Sequence, residues 1–205
     1  MPSIRVLLQS MTNRLVLLCA IVYFVQSALF HQQLTGLELF SWQSPNFAVW
    51  QLLTHMFLHG SVTHLLFNMI ALWSFGRVLE RVWGNRRFLV FFLVCGVGAA
   101  VISMLVDALI LGRPFSGYMV GASGAIYGVL VAFALLFPNF KIILLFLPVP
   151  IAAKYFVPVL LLIDLTAGFT GFSIFGYNIA HFAHVGGAIV GFVMVQFWLR
   201  SSARS

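Results

Sequence analysis

The chain has 205 residues, of which 62% are hydrophobic and 7% are charged, and its mean hydropathy is +1.06. A soluble domain of this length has too much surface for so few charges, so the composition predicts an integral membrane protein with several spans. The net charge of +7 does not indicate nucleic-acid binding, because the basic residues fall between apolar runs rather than in one patch. Cys19 and Cys95 lie inside apolar runs, which predicts buried hydrophobic side chains rather than a disulfide or a metal pair.

The apolar runs predict six membrane-spanning helices, at about residues 11–30, 61–79, 88–111, 119–137, 153–170 and 178–199. Between the first two, Trp42 and Trp50 suit the membrane interface, and residues 47–58 are apolar enough to lie among the lipid headgroups. We therefore expect an all-α membrane protein, a six-transmembrane-helix bundle that forms a single domain over residues 1–205.

The segment 141–154 does not fit this helical pattern. It contains Pro148 and Pro150, which make one continuous helix unfavourable, so we predict an interfacial turn there.

Basic residues predict the orientation of the chain in the membrane. Six spans put both termini on one side, and of the 11 Lys and Arg residues Arg113 alone falls on the other side. The positive-inside rule then predicts that both termini are cytoplasmic and that the even-numbered spans begin at the external face.

Four polar residues share one predicted depth. Ser123 lies at the start of the fourth span, His64 and Asn68 lie in the first turns of the second, and His184 lies near the start of the sixth. His64 and Asn68 are four residues apart and share a helix face. Polar groups are costly in lipid, so their common depth in the external leaflet favours one shared site.

Small residues predict which spans meet at this site. Gly124 and Gly128 form one small-xxx-small pattern, and Gly187 and Gly191 form another on the face of His184. If these two stripes face each other, the fourth and sixth spans approach closely and bring Ser123 within reach of His184.

That pairing is typical of nucleophilic catalysis. A serine becomes a useful nucleophile when an adjacent base takes its proton, and imidazole suits this role near neutral pH. His64 and Asn68 are candidate donors to the oxyanion of a tetrahedral intermediate. Tyr127, one turn after Ser123, is a candidate to hold the imidazole by ring contact. Each of these residues taken alone also fits a packing role.

The acidic residues do not join this predicted site. Glu38, Glu80, Asp107 and Asp164 lie in other regions of the sequence. We therefore expect a Ser–His dyad rather than a triad.

These motifs resemble the rhomboid intramembrane serine proteases over the whole six-span core. The matching pieces are a GxxxExxxG pattern centred on Glu80, His64 with Asn68, Gly121-Ala122-Ser123-Gly124 with Tyr127, and Ala183-His184-Val185-Gly186-Gly187 with Gly191.

The resemblance assigns a role to each of these side chains. It implies that Ser123 is the nucleophile and His184 the general base, and that the Ser123 backbone N–H, His64 and Asn68 stabilise the oxyanion. It further implies that Tyr127 stacks on His184. Gly187 and Gly191 would let the sixth span pack on the fourth, and Gly121 would be a supporting position.

The resemblance also implies the setting of the reaction. The chain would cleave transmembrane protein substrates without metal or cofactor, from a multi-pass position in the cell (inner) membrane. Its site would open to the external or periplasmic side. Its partners would be the substrate and the lipid bilayer, with no nucleic acid and no obligatory oligomer.

The sequence departs from the family at one position and offers a competitor at another. Some members carry Trp-Arg in the first loop, whereas Gln51 follows Trp50 here, so the anchoring of that loop is left open. His181 competes with His184, but His184 alone has glycines three and seven residues later. By analogy, the uncharged loop 171–177 is expected to form an apolar lid.

Two other functions stay open at this point. The residues His55, His59, His64, His181 and His184 are enough imidazoles for a metal site or a transporter, although no HExxH motif and no inverted repeat is visible. A catalytically inactive rhomboid-like protein that binds membrane clients is the other alternative. The presence of both Ser123 and His184 argues against it.

Overall fold

The computed structural model describes residues 9–30, 36–112, 117–144, 147–171 and 180–202, and this part of the chain is mostly helical. Its helices are α1 (Met11–Phe30), the short α2 (Gln51–Thr54), α3 (Val62–Trp83), α4 (Asn85–Leu109), α5 (Ser123–Leu136), α6 (Ala153–Thr170) and α7 (His181–Ser202). By length and composition, five of them are able to cross a membrane: α1, α3, α4, α6 and α7. The apolar helix α5 is shorter, with 14 residues.

Each predicted span contains one of these apolar helices, but the fourth begins later than predicted. Tyr118 and Met119 form a short strand, β2, which pairs antiparallel with β1 (Leu39–Phe40). Helix α5 therefore begins at Ser123, after a backbone turn in which Gly121 has φ +123°. The predicted start of the sixth span, at residue 178, lies outside the described residues.

The prediction of an interfacial turn at residues 141–154 was wrong. These residues form an antiparallel hairpin of β3 (Lys141–Leu144) and β4 (Leu147–Ala152), which leads directly into α6. Pro148 and Pro150 exclude a helix, as expected, but they are compatible with a two-stranded hairpin because both of its strands are edges.

Helix α5 lies at the centre of the bundle. It packs against α4, α6 and α7, and every residue from Gly124 to Phe133 is buried. A helix that is hydrophobic on all sides needs such surroundings. The outer helices instead expose large apolar side chains, such as Phe24, Leu66, Leu162 and Phe192, which suits a surface that faces lipid.

The two glycine stripes face each other, as predicted. A Cβ atom on Gly187 would collide with the carbonyl oxygen of Gly124, and one on Gly191 would lie 2.7 Å from the Cα of Gly128. Only glycine therefore permits α5 and α7 to approach this closely, and this approach sets the distance between Ser123 and His184.

Glu80, at the centre of the GxxxExxxG pattern, joins α3 to the beginning of α1. Its carboxylate accepts hydrogen bonds from the hydroxyl of Ser10 at 2.8 Å, from the N–H of Met11 at 2.5 Å and from the N–H of Thr12 at 2.9 Å. The two N–H groups are in the first turn of α1 and have no acceptor inside their own helix. The acidic residue therefore caps the first span.

Gln51 anchors the first loop. Its buried amide donates to the carbonyl oxygens of Gly36 at 3.2 Å and Asn46 at 2.8 Å, and its side-chain oxygen accepts from the N–H of Phe40 at 3.3 Å. The neighbouring Trp50 indole also donates to the Gly36 carbonyl, at 3.2 Å. The glutamine thus holds three backbone positions of the loop.

Candidate active site

Ser123 and His184 meet at the beginnings of α5 and α7. The Nε2 atom of His184 lies 2.8 Å from the Oγ atom of Ser123, which is hydrogen-bonding distance. The two residues are 61 positions apart in sequence, and the contact between the glycine stripes brings their helices together. The structure thus has His184, and not His181, next to the serine hydroxyl.

Tyr127 lies flat against the imidazole of His184. The ring centroids are 4.2 Å apart and the planes differ by 8°. Tyr127 is one helical turn after Ser123, so one face of α5 carries both the hydroxyl and the ring that stacks on its partner. This contact restricts the rotation of the imidazole.

His64 and Asn68 reach the same place from α3. A Cβ atom on Gly121 would lie 2.7 Å from Nε2 of His64 and 3.6 Å from Nδ2 of Asn68. The missing side chain at Gly121 therefore leaves room for both nitrogens beside the backbone that leads to Ser123. The Asn68 Nδ2 atom is buried and has no hydrogen-bond partner in the described part of the chain.

The expectation that no acidic residue lies near His184 was wrong. Asp164 on α6 is 1% exposed, and its Oδ1 atom lies 3.0 Å from Nδ1 of His184 and 2.6 Å from Nδ1 of His181. Its other oxygen, Oδ2, accepts a hydrogen bond from the hydroxyl of Tyr127. All of these groups are buried.

A signal for Asp164 was present in the sequence. It is the one charged residue between positions 155 and 170, and a carboxylate inside a span needs a partner. It also shares a helix face with Val157 and Ala167, which are buried like it. The identity of its partners depends on how α6 is rotated against α7.

Asp164 also forms a group of three possible metal ligands with His181 and His184. Among the described residues, Asp164, His181 and His184 are the one group of three ligand-type side chains whose donor atoms lie within 4.8 Å of one another. Their contacts of 2.6 and 3.0 Å match hydrogen bonds, whereas neighbouring ligands of a tetrahedral zinc ion lie about 3.3 Å apart. The distances favour a hydrogen-bonded cluster.

His55 and His59 lie in and just after the 3-10 turn His55–Phe57, and the ring of His59 packs edge-on against that of His64 at a centroid distance of 5.1 Å. The Nδ1–H of His55 donates to the Gln51 carbonyl at 2.8 Å, and the His55 carbonyl accepts from the N–H of Gly121. Burial lowers the pKa of both imidazoles to about 4 and keeps them neutral at physiological pH. The contacts of His55 support the first loop and the backbone before Ser123.

The expected lid lies almost wholly outside the described residues. Only Gly171 is described; it ends α6 with φ +71°.

Comparison with known proteins supports the resemblance found in the motifs. The family model for the Rhomboid domain matches residues 46–201. Over 145 residues the chain is 37% identical to the Rhomboid protease GluP of Bacillus subtilis, a match that covers 70% of this chain and 25% of that protein. Over 164 residues it is 35% identical to Rhomboid-like protein 11, chloroplastic, of Arabidopsis thaliana. That match covers 76% of this chain and 54% of that protein.

A third relative matches over most of both chains. It is the Rhomboid protease GlpG of Haemophilus influenzae, which is 28% identical over 177 residues, with 86% of this chain and 84% of that protein covered. The chain thus spans about a quarter and about half of the first two relatives, and most of the third. It is an integral multi-pass membrane protein and belongs to the rhomboid family.

Proposed function

We propose that the chain is an intramembrane serine endopeptidase that cleaves transmembrane protein substrates near the external membrane surface. Ser123 is the nucleophile and His184 the general base. The observation that carries this proposal is the 2.8 Å contact between His184 Nε2 and Ser123 Oγ, with Tyr127 stacked on the imidazole. Membership in a family that includes the Rhomboid proteases GluP and GlpG supports the reaction type.

The proposed reaction proceeds by acyl transfer. The Ser123 oxygen attacks the scissile carbonyl carbon while its proton passes to Nε2 of His184. When the tetrahedral intermediate collapses, the C–N bond breaks and His184 returns that proton to the leaving amine. Water then attacks the ester formed with Ser123 while His184 takes a proton from it. The ester C–O bond breaks, His184 returns that proton to the Ser123 oxygen, and the second product leaves as a carboxylic acid.

The oxyanion of the intermediate would be stabilised by three donors. The Ser123 N–H is in the first turn of α5, where backbone donors have no acceptor inside the helix and the helix dipole favours negative charge. His64 and Asn68 would add two side-chain donors. The room beside Gly121 and the unpartnered Nδ2 of Asn68 support this role.

The position in the membrane follows from the proposed topology of a single six-span domain. Helix α5 has 14 residues and is therefore about 21 Å long, shorter than a hydrocarbon core of roughly 30 Å. With both termini cytoplasmic, Ser123 at its beginning would lie below the external surface. The site would open to the periplasmic side of a bacterial inner membrane, where water has access.

We expect Ser123→Ala and His184→Ala each to abolish cleavage of a generic transmembrane substrate by the purified chain, because either change removes half of a nucleophile–base pair. The matched control is Ser201→Ala, which removes an exposed hydroxyl bonded to the Phe197 carbonyl at the far end of α7. Thermal unfolding of each variant checks that it folds. Full cleavage by Ser123→Ala would exclude the serine mechanism.

The same assay separates the other two functions. A chelator is expected to leave cleavage unchanged, and loss of activity that zinc restores would favour a metal centre at Asp164, His181 and His184. A wild-type chain that captures the substrate and leaves it intact would favour a client-binding protein.

A further inference from the structure

We propose that Asp164 is a positioning residue that orients His184, so that the chain works with a Ser–His–Asp triad instead of a dyad; this inference rests on the proposed function. The contacts form one line, from Ser123 Oγ to His184 Nε2 at 2.8 Å and from His184 Nδ1 to Asp164 Oδ1 at 3.0 Å. The serine and the carboxylate thus hold opposite nitrogens of one ring.

This arrangement selects one tautomer of the imidazole. A neutral histidine has one nitrogen that donates and one that accepts. Nε2 must accept the serine proton, so the hydrogen must be on Nδ1, where an ionised carboxylate is an acceptor and never a donor. Asp164 therefore favours the one form of His184 that is able to act as the base.

The carboxylate is itself held in place by other groups. His181 Nδ1 lies 2.6 Å from Oδ1, and the Tyr127 hydroxyl donates to Oδ2. A buried ion is tolerated when its acceptor sites are filled in this way. Tyr127 consequently acts on His184 twice, by stacking on the ring and by fixing the acid behind it. The network joins α5, α6 and α7.

The contribution of Asp164 is expected in the transition state. When His184 takes the serine proton it becomes an imidazolium, and the nearby negative charge then attracts it more strongly than it attracts the neutral ring. An interaction that strengthens only during the reaction raises kcat and leaves substrate binding unchanged. The competing explanation is structural, namely that Asp164 only ties α6 to α7 through His181.

The test is Asp164→Asn, which keeps the size of the side chain and removes its charge. We expect kcat to fall by tenfold or more, up to the roughly 10⁴-fold loss known for such a change in a soluble triad, with KM within about twofold. The rate at which a fluorophosphonate modifies Ser123 should fall in parallel, because it reports the reactivity of the hydroxyl without peptide binding. Thr166→Ala, on the exposed face of α6, is the control with unchanged rates.

His181→Asn distinguishes a role of Asp164 in orienting His184 from a role in joining α6 to α7. It removes the His181–Asp164 bond and leaves the bond from Asp164 to His184, so its loss of kcat should be at least tenfold smaller than that of Asp164→Asn. If both variants lose kcat equally and in proportion to thermal stability, Asp164 only links α6 to α7 and does not orient His184. Full turnover by Asp164→Asn would also overturn the inference.

Tyr127→Phe keeps the test decisive if Asp164→Asn does not fold. It retains the stacked ring and removes the bond to Oδ2, so kcat should fall with KM unchanged, and an unchanged kcat would overturn the inference. An inactive wild type, or an active Ser123→Ala, would instead defeat the proposed function before Asp164 is tested.

Discussion

At the scale of single residues, substitution of Asn68 distinguishes a catalytic role of its side chain from a packing role. Its buried Nδ2 has no hydrogen-bond partner in the described chain, and a buried donor left unpaired costs about 1–3 kcal/mol. If the nitrogen is reserved for an oxyanion, Asn68→Ala should lower turnover far more than substrate binding. One such donor is worth about 2.7–4 kcal/mol in a soluble serine protease, and the loss here should be smaller because His64 and the Ser123 N–H remain.

A packing role for Asn68 predicts a different result for the same substitution. An asparagine that only ties helices contributes about 0.6 kcal/mol in a membrane, so its removal should slightly lower thermal stability and leave turnover near normal. Turnover and stability are measured on one preparation. Asn85→Ala is the control, since the Asn85 amide donates to the Gln9 carbonyl at an exposed site away from Ser123.

Local spacing in the sequence accounts for two pairs of residues in the site, but it does not account for Asp164. Ser123 with Tyr127, and His64 with Asn68, are each four residues apart on one helix, so their shared faces are a property of the sequence itself. The Asp164–His184 contact joins two helices. It depends on the rotation of α6 about its own axis, which the apolar pattern of a single span leaves undefined.

At the scale of elements, the membrane itself made the helices predictable. The thickness of the hydrocarbon core fixes the length of an apolar run, which is why the predicted ranges coincide with helices such as Met11–Phe30 and Ala153–Thr170. Hydropathy carries no comparable information about residues 141–152. Proline excludes a helix there but does not distinguish a turn from a strand, and the hairpin register is set by pairing.

The proposed active site depends on the close contact between the helices α5 and α7. Gly187→Ala would drive a methyl group into the Gly124 carbonyl and push the helices apart. Overpacking costs about 1–3 kcal/mol, and a displacement of about 1 Å between catalytic groups costs about a hundredfold in rate. We therefore expect lower thermal stability and a large loss of kcat, measured by thermal unfolding and by cleavage.

Gly60→Ala is the matched control for this change. A Cβ atom on Gly60 would meet its nearest neighbour, Val120 Cγ2, only at 4.0 Å, so stability and rate should stay close to wild type. A Gly187→Ala protein with normal stability and normal turnover would show that close packing of α5 on α7 does not set the Ser123–His184 geometry.

At the scale of the whole molecule, the polar groups of the proposed active site are concentrated at one end of a bundle whose outer helices expose large apolar side chains. His64 and Asn68 come from α3, Ser123 from α5, Asp164 from α6 and His184 from α7, so three other helices meet at the beginning of the short α5. A bundle of this form shields a polar site from lipid along its sides. In the proposed topology, water would reach the site from the membrane face at which α5 begins.

The topology of the chain determines whether α5 begins at the external or the cytoplasmic face of the membrane. Of the 11 Lys and Arg residues, all but Arg113 fall on the side assigned to the cytoplasm. In a chain with Cys19 and Cys95 replaced by alanine, we expect Ser116→Cys to react with a membrane-impermeant maleimide in intact cells. Ser3→Cys and Ser205→Cys should react only after permeabilisation. The reverse pattern would put Ser123 and His184 in the cytoplasmic leaflet, and cleavage would then occur near the inner surface.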